Sequence, residues 1–138
     1  KGILTEVAIK HDLEIGKISI PGYKITGPIQ QRINIIPSGS TNIGNMQREF
    51  DLVFPVVSLS DNSPSTAIIE IKNLKKTISL TAAQKFADAL DLARKSKIFG
   101  ESFLPIFMGT SFSEQALEFF KQHGIIPFHL TINKPDDE

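Results

Sequence analysis

The sequence predicts an α/β domain with a central mixed β-sheet flanked by helices, and three observations lead there. The spacing of apolar residues switches between a helical and a strand-like period along the chain. The segments so defined run helix, strands, hairpin, helix, strand, helix, strand, an order that joins antiparallel neighbours by turns and later strands by helical crossovers. Phe103-Leu104-Pro105-Ile106-Phe107-Met108 is a continuous apolar run, as a strand covered on both faces requires.

Each element follows in order. Ile3, Leu4, Val7, Ala8 and Leu13 keep a mostly helical spacing, and Gly16 is the stop. Lys17–Ile20 leads to a Pro21-Gly22 turn signal, and 29–36 is β-rich with loose alternation. Ser38-Gly39-Ser40-Thr41-Asn42 and Gly44-Asn45 form a polar loop without an assigned role. Glu49–Val57 reads as a strand, Ser60–Pro64 as a turn centred near Asn62, and Thr66–Lys72 as the returning strand of an antiparallel hairpin. Pro55 has no N–H to give a ladder, so it marks an edge or a bulge. Thr81-Ala82-Ala83-Gln84 has the spacing of a capping box, and Ala82, Phe86, Ala89, Leu90 and Ala93 share one face of a helix running to about Lys97. Ser111-Phe112-Ser113-Glu114 is a second such box before a helix that carries Phe119-Phe120 and stops at Gly124. A last strand spans 125–132. Residues 1–133 are thus expected to form one domain, and 134–138 an acidic tail.

Composition narrows the function classes. The 138 residues are 41% hydrophobic and 22% charged, enough for a core and a solvated surface and unlike a disordered chain. Fifteen basic residues balance fifteen acidic ones, so affinity for nucleic acid has to come from local clustering. Lys72, Lys75, Lys76, Lys85, Arg94, Lys95 and Lys97 against Asp88 and Asp91 form such a cluster. Lys75, Lys76 and Lys85 are therefore candidate phosphate contacts, with a lysine-rich helix end as the plainer reading. Hardly any aromatic residue lies among them, which favours a duplex backbone clamp over a base-stacking platform. There is no cysteine, hence no disulfide or thiolate zinc site. His11, His123 and His129 lack ligand spacing, and no phosphate-binding glycine loop or nucleophile elbow is present. No apolar run reaches the roughly eighteen residues of a membrane span, so the chain is expected to be soluble, cytoplasmic and free of membrane partners.

Chemistry concentrates in the hairpin. Glu70 and Lys72 are two apart on a strand and leave it on one face, while Ile69 and Ile71 point to the other. A turn near Asn62 brings Asp51 to the level of Lys72 and close to Glu70. Two carboxylates without thiolates or clustered histidines suit a hard cation such as Mg²⁺, with Mn²⁺ as a substitute; the Ile71 carbonyl lies between them as a further oxygen. Lys72 would stand beside a metal-bound water and orient or deprotonate it. Glu49, two residues from Asp51, is the rival for its role. The plainer reading of Glu-x-Lys is a solvated cross-strand ion pair.

Asp51 on one strand and Glu70-Ile71-Lys72 on the next resemble the motif of the PD-(D/E)xK nuclease superfamily. Gly2-Ile3-Leu4-Thr5-Glu6 is similar to the glycine-to-glutamate spacing of its resolvase-like and Mrr-like members, and Gln84-Lys85 lies where many members carry a glutamine or lysine after the third motif strand. Phe50 stands where proline is common, and about thirty residues before Asp51 match no family pattern, longer than ordinary connections of about 2–6 residues. The resemblance implies a restriction-endonuclease-like core and a Mg²⁺-dependent DNA endonuclease of restriction or repair type. Asp51, Glu70 and Lys72 would be catalytic, assisted by Glu6 and Gln84, with Asp51, Glu70 and Ile71 at the metal. Glu6 as a surface helix residue and Gln84 as the capping partner of Thr81 remain open. DNA is then the partner, and cutting both strands implies a homodimer or a second nuclease subunit. A non-catalytic nuclease-like module that binds DNA or protein, or one domain of a larger defence protein, is the competing reading.

Overall fold

The computed structural model describes residues 2–36, 47, 49–72 and 75–131. The expectations for the loop at 38–45, for the side chains of Ile3 and Leu4, for Ile132 and for the tail fall outside the described residues. Helix α1 spans Gly2–Glu14 and ends before Gly16, whose φ of 82° suits a residue without Cβ. Strand β1 is Tyr23–Ile25 and β2 is Gln30–Asn34. The hairpin strands are β3, Glu49–Ser58, and β4, Pro64–Ile71. Then come α2 over Leu80–Ser96, β5 over Phe103–Gly109, α3 over Glu114–His123 and β6 over Ile126–His129.

The mixed sheet is the expected one. Its order is β1-β3-β4-β5-β6, with β2 also paired to β3. β3 joins β1 and β4 antiparallel, and β4, β5 and β6 run parallel through α2 and α3. The ten-residue β3 serves two short neighbours on one side, β2 beside Glu49–Val53 and β1 beside Val56–Ser58. Pro55 sits between these halves. Its carbonyl accepts from Thr26 N–H at 3.0 Å, so its missing donor faces the β1–β2 connection, where no ladder partner is required. Gly27 passes over it so closely that a Cβ would come within 2.6 Å of the proline ring.

Three layers result. Ile9 and Leu13 of α1 pack with Leu52, Phe54, Val56, Ala67, Ile69, Leu104, Ile106 and Met108 on one face of the sheet. On the other face Phe86, Ala89, Leu90 and Ala93 of α2 and Ala116 and Phe120 of α3 pack on Phe50, Val53, Ile68 and Phe107. β5 is buried from Leu104 to Gly109 because both layers cover it, as its apolar run predicts. Among the described residues no helix is long and apolar enough to cross a membrane.

Local expectations need correction at three places. Val7 and Ala8 are exposed; α1 buries Leu13, as expected, but with Glu6 and Ile9, so its face is rotated from the one read off the sequence. The cap of α2 is Ser79, not Thr81: Ser79 has extended backbone angles and its hydroxyl accepts from Ala82 N–H at 3.2 Å. Ser113, rather than Ser111, caps α3 by accepting from Ala116 N–H at 3.0 Å, while Ser111 shares a 2.8 Å hydroxyl contact with Thr77. In both helices a serine enters from extended chain, and that dihedral, not the four-residue pattern alone, decides which hydroxyl reaches the free N–H groups.

Candidate functional site

The hairpin register sets the site. Leu52 pairs with Ile69, and continuing by one residue puts Asp51 opposite Glu70 rather than level with Lys72. The difference arises at the turn. Val57↔Pro64 is the outermost pair of the ladder, Ser58 N–H donates to Ser63 O, and Asn62 takes a left-handed φ of 59°, so the centre falls before Asn62. At its other end the ladder opens. Ile71 N–H donates not to β3 backbone but to Asp51 Oδ2, at 2.7 Å, while Lys72 N–H turns to Met108 O on β5 at 3.3 Å. A carboxylate thereby replaces a ladder carbonyl where two strands part.

Five of the sequence-predicted residues meet there, Asp51, Glu70, Ile71, Lys72 and Glu6. Glu70 is 4% exposed; its Oε2 lies 3.1 Å from Lys72 Nζ and its Oε1 accepts from Gln47 Nε2 at 3.0 Å. Burial pushes the Glu70 carboxyl up to about 8, the nearby Asp51 charge adds to the rise, and Lys72 opposes it. Asp51 is raised to about 6, again chiefly by burial; the Ile71 N–H and Lys72 oppose the rise, and Glu6 adds to it. Glu6, 5% exposed on α1, thus stands beside Asp51 and is buried rather than on the surface. Its Oε2 lies 3.2 Å from Arg32 Nη2, whereas its Oε1 is buried without a hydrogen-bond partner. Glu49 is not equivalent to Asp51: it is exposed and pairs with Arg32 Nη1 at 3.3 Å.

The remaining candidates are dispersed. Gln84 lines a cleft of about 570 Å³ between α2 and α3 with Leu80, Glu114, Gln115, Glu118, Phe119 and Gln122, and neither Asp51, Glu70 nor Lys72 is among its lining. With Ser79 as the cap, it is also not the partner of Thr81 in a capping box. Lys85 is exposed on α2, and Lys75 and Lys76 are exposed before it. Lys76 lines a smaller cleft of about 190 Å³ with Lys72, Thr77, Ile78, Ser79 and Ala82. The basic run read from 72 to 97 is therefore two patches. Lys72 and Lys76 share the cleft at the site, whereas Arg94, Lys95 and Lys97 lie at the far end of a 17-residue helix, about 25 Å away at 1.5 Å per residue. Arg94 is moreover engaged, with Asp91 Oδ1 at 3.4 Å and its guanidinium 4.9 Å from the Phe103 ring centre.

Sequence reasoning missed Arg32 and Gln47. Arg32 stands between the paired steps Gln31↔Leu52 and Ile33↔Phe50, across from Asp51, with a left-handed φ of 53°. Gln47 holds two acceptors at once, Glu49 O and Glu70 Oε1, both at 3.0 Å. Neither belongs to a local pattern; both are recruited across 23 residues or more of chain.

The donor set suits a hard cation. Asp51 and Glu70 offer carboxylate oxygens, and the orphaned Glu6 Oε1 is a third buried oxygen without a partner. Burial first, and the neighbouring carboxylate second, disfavours the charged forms of Asp51 and Glu70, and a bound cation would offset both. Among the described residues no three acidic or imidazole groups already converge as a metal cage. A cation here would keep several waters, as Mg²⁺ does when one or two carboxylates hold it.

The architecture and this site are those of an α/β domain with a buried Glu70 and a half-buried Asp51 at the fork of two central strands. Solved structures share this fold, one of them described as a repair endonuclease. A repair endonuclease from Pyrococcus abyssi superposes over 91% of this chain with a TM-score of 0.58 at 17% identity, EndoMS in its apo form over 93% at 0.57 and 14%, and EndoMS with double-stranded DNA over 94% at 0.59 and 15%. The chain spans less than half the length of these structures, 45–46% of each. No family model matches the sequence, and no curated protein does.

Proposed function

We propose that this chain is a nuclease domain that hydrolyses DNA phosphodiester bonds with Mg²⁺, as an endonuclease of the PD-(D/E)xK kind. The observation that carries the reading is the half-buried Asp51 beside the buried Glu70 at the parting of β3 and β4, with the Lys72 ammonium 3.1 Å from Glu70. Likeness of fold to a repair endonuclease and to EndoMS solved with double-stranded DNA supports it.

Asp51, Glu70 and the Ile71 carbonyl would hold the cation, with Glu6 as an assisting carboxylate. When bound, Mg²⁺ lowers the pKa of a coordinated water and neutralises charge on the phosphate. Lys72 would orient the attacking water and stabilise the negative charge that develops on the phosphate oxygens as the phosphorus–oxygen bond breaks, and Glu70, 3.1 Å away, would hold its ammonium in place. Asp51 is fixed in orientation by the Ile71 N–H, which would leave its other oxygen for the cation. Lys76, beside Lys72 in the 190 Å³ cleft, and Lys75 approach the strand backbone next to the cut. Gln84 and Lys85 are more distant contacts, along α2. Cutting both strands takes two such sites, hence a homodimer or a second nuclease subunit.

Incubation of supercoiled plasmid with the protein and Mg²⁺ tests the reading. Nicking that EDTA abolishes and that Lys72→Ala reduces at least a hundredfold is the expected result. Intact plasmid under all conditions, with mismatched and single-stranded DNA also untouched, would leave a binding module.

A further inference from the structure

Arg32 is an unusual residue in an unusual place. Its backbone occupies the left-handed region, with φ of 53°, which a residue bearing Cβ rarely adopts. Such a conformation persists where the surroundings fix it, and it aims the side chain away from the direction a regular strand would give. The guanidinium is forked between two carboxylates: Nη2 meets the buried Glu6 Oε2 at 3.2 Å and Nη1 meets the exposed Glu49 Oε1 at 3.3 Å.

This division leaves Glu6 half-satisfied. A buried carboxylate oxygen without a donor is destabilising, and Glu6 Oε1 is in that state at 5% exposure. Glu6 also faces Asp51, with which it shares a hydrogen bond only while one of the two acids is protonated. With both ionised, no side chain among the described residues donates to that oxygen.

We infer that Arg32 is a positioning residue: by occupying Glu6 Oε2 and bracing on Glu49, it holds Glu6 Oε1 for a water of the divalent cation that Asp51 and Glu70 hold. The inference rests on the function proposed above. Arg32 acts through Glu6 and does not touch the cation. An arginine is needed rather than a lysine because two planar N–H groups engage two carboxylates in one orientation. Outer partners of metal ligands of this sort are worth about 10–100-fold in metal affinity.

The sign of the effect separates this role from simple charge. Removing a positive group beside a cation site strengthens cation binding if charge alone acts; loss of a positioning group weakens it. Mn²⁺ serves as the probe, titrated into the metal-free protein and followed by the electron paramagnetic resonance of free Mn²⁺. Arg32→Asn tolerates the left-handed backbone, and Arg32→Lys keeps the charge while losing the fork. Both are expected to bind Mn²⁺ about tenfold more weakly, and Arg32→Asn combined with Glu6→Gln no more weakly than Glu6→Gln alone. Circular dichroism reports folding; should both Arg32 variants unfold, Glu49→Gln, which frees one arm of the fork, carries the comparison with a smaller loss. Unchanged or tighter Mn²⁺ binding in folded Arg32 variants overturns the inference, as does a double variant whose loss is the product of the two single ones. If Asp51→Asn weakens Mn²⁺ binding while the Arg32 variants do not, only this inference falls. If the wild-type protein takes up no Mn²⁺, or Asp51→Asn binds it unchanged, the parent reading falls and takes this one with it.

Discussion

Glu70 makes the metal-free protein less stable as the pH rises, and the variant Glu70→Gln isolates the effect. In the unfolded chain a glutamate releases its proton near 4.5, whereas in the folded protein burial and the Asp51 charge hold it on to about 8. Between those values the folded state binds more protons than the unfolded state, so stability falls with rising pH. The contribution is fully present below about 4.5 and lost by about 8. A span of roughly 3.5 units at 1.36 kcal/mol each sets a ceiling of about 5 kcal/mol. Sharing of the repulsion with Asp51 reduces what one substitution recovers, so about 2–4 kcal/mol is expected. Urea denaturation in EDTA at pH 5 and at pH 8.5 measures it. Relative to wild type, Glu70→Gln should gain about 2 kcal/mol or more between the two pH values, because the amide carries no charge to desolvate. Differences intrinsic to the amide, such as its weaker contact with Lys72, are nearly constant over this range and cancel. Parallel curves for the two proteins would refute the reasoning, since they would mean that Glu70 ionises in the folded state as readily as in water.

Other expectations concern the scaffold and the cation. Ser79→Ala should destabilise by about 1 kcal/mol through loss of the bond to Ala82 N–H, while Thr81→Ala, exposed and not a cap, should stay within about 0.5 kcal/mol; thermal melts of the pair decide which hydroxyl starts α2. Phe86 is fully buried with edge-on contacts to Phe50 and Phe107, so Phe86→Ala should cost about 3–5 kcal/mol in chemical denaturation. Mg²⁺ should raise the thermal midpoint more at pH 8 than at pH 5, because protonated Asp51 and Glu70 must release their protons to bind it. An equal shift at both pH values would point to a site elsewhere.

Much of this molecule was legible from its residues alone, and for local reasons. Strand period two sends Glu70 and Lys72 the same way wherever the strand lies, and the 3.1 Å ion pair follows from that. The burial of β5, the face of α2 carrying Phe86, Ala89, Leu90 and Ala93, and the stop at Gly124 likewise depend on neighbours within a few positions. The cap positions were missed by two residues, because a hydroxyl caps only from extended backbone, which a four-residue pattern does not encode. The level of Asp51 was missed by a similar margin, since one left-handed residue in the turn shifts the register of the whole hairpin.

What the chain alone determined is the chemical content of the fork: an acid on one strand, an acid and an amine on the next, in a sheet able to hold them. Only tertiary packing decided that Glu6 from a helix 45 residues upstream of Asp51 joins them, that Arg32 clamps it, and that Gln84 looks into a different cleft. The physical reason is distance along the chain. Periodicity fixes a side chain's direction relative to its neighbours, whereas convergence from separate elements is set by how whole layers stack, and that stacking is the sum of many apolar contacts none of which carries a signature of the site.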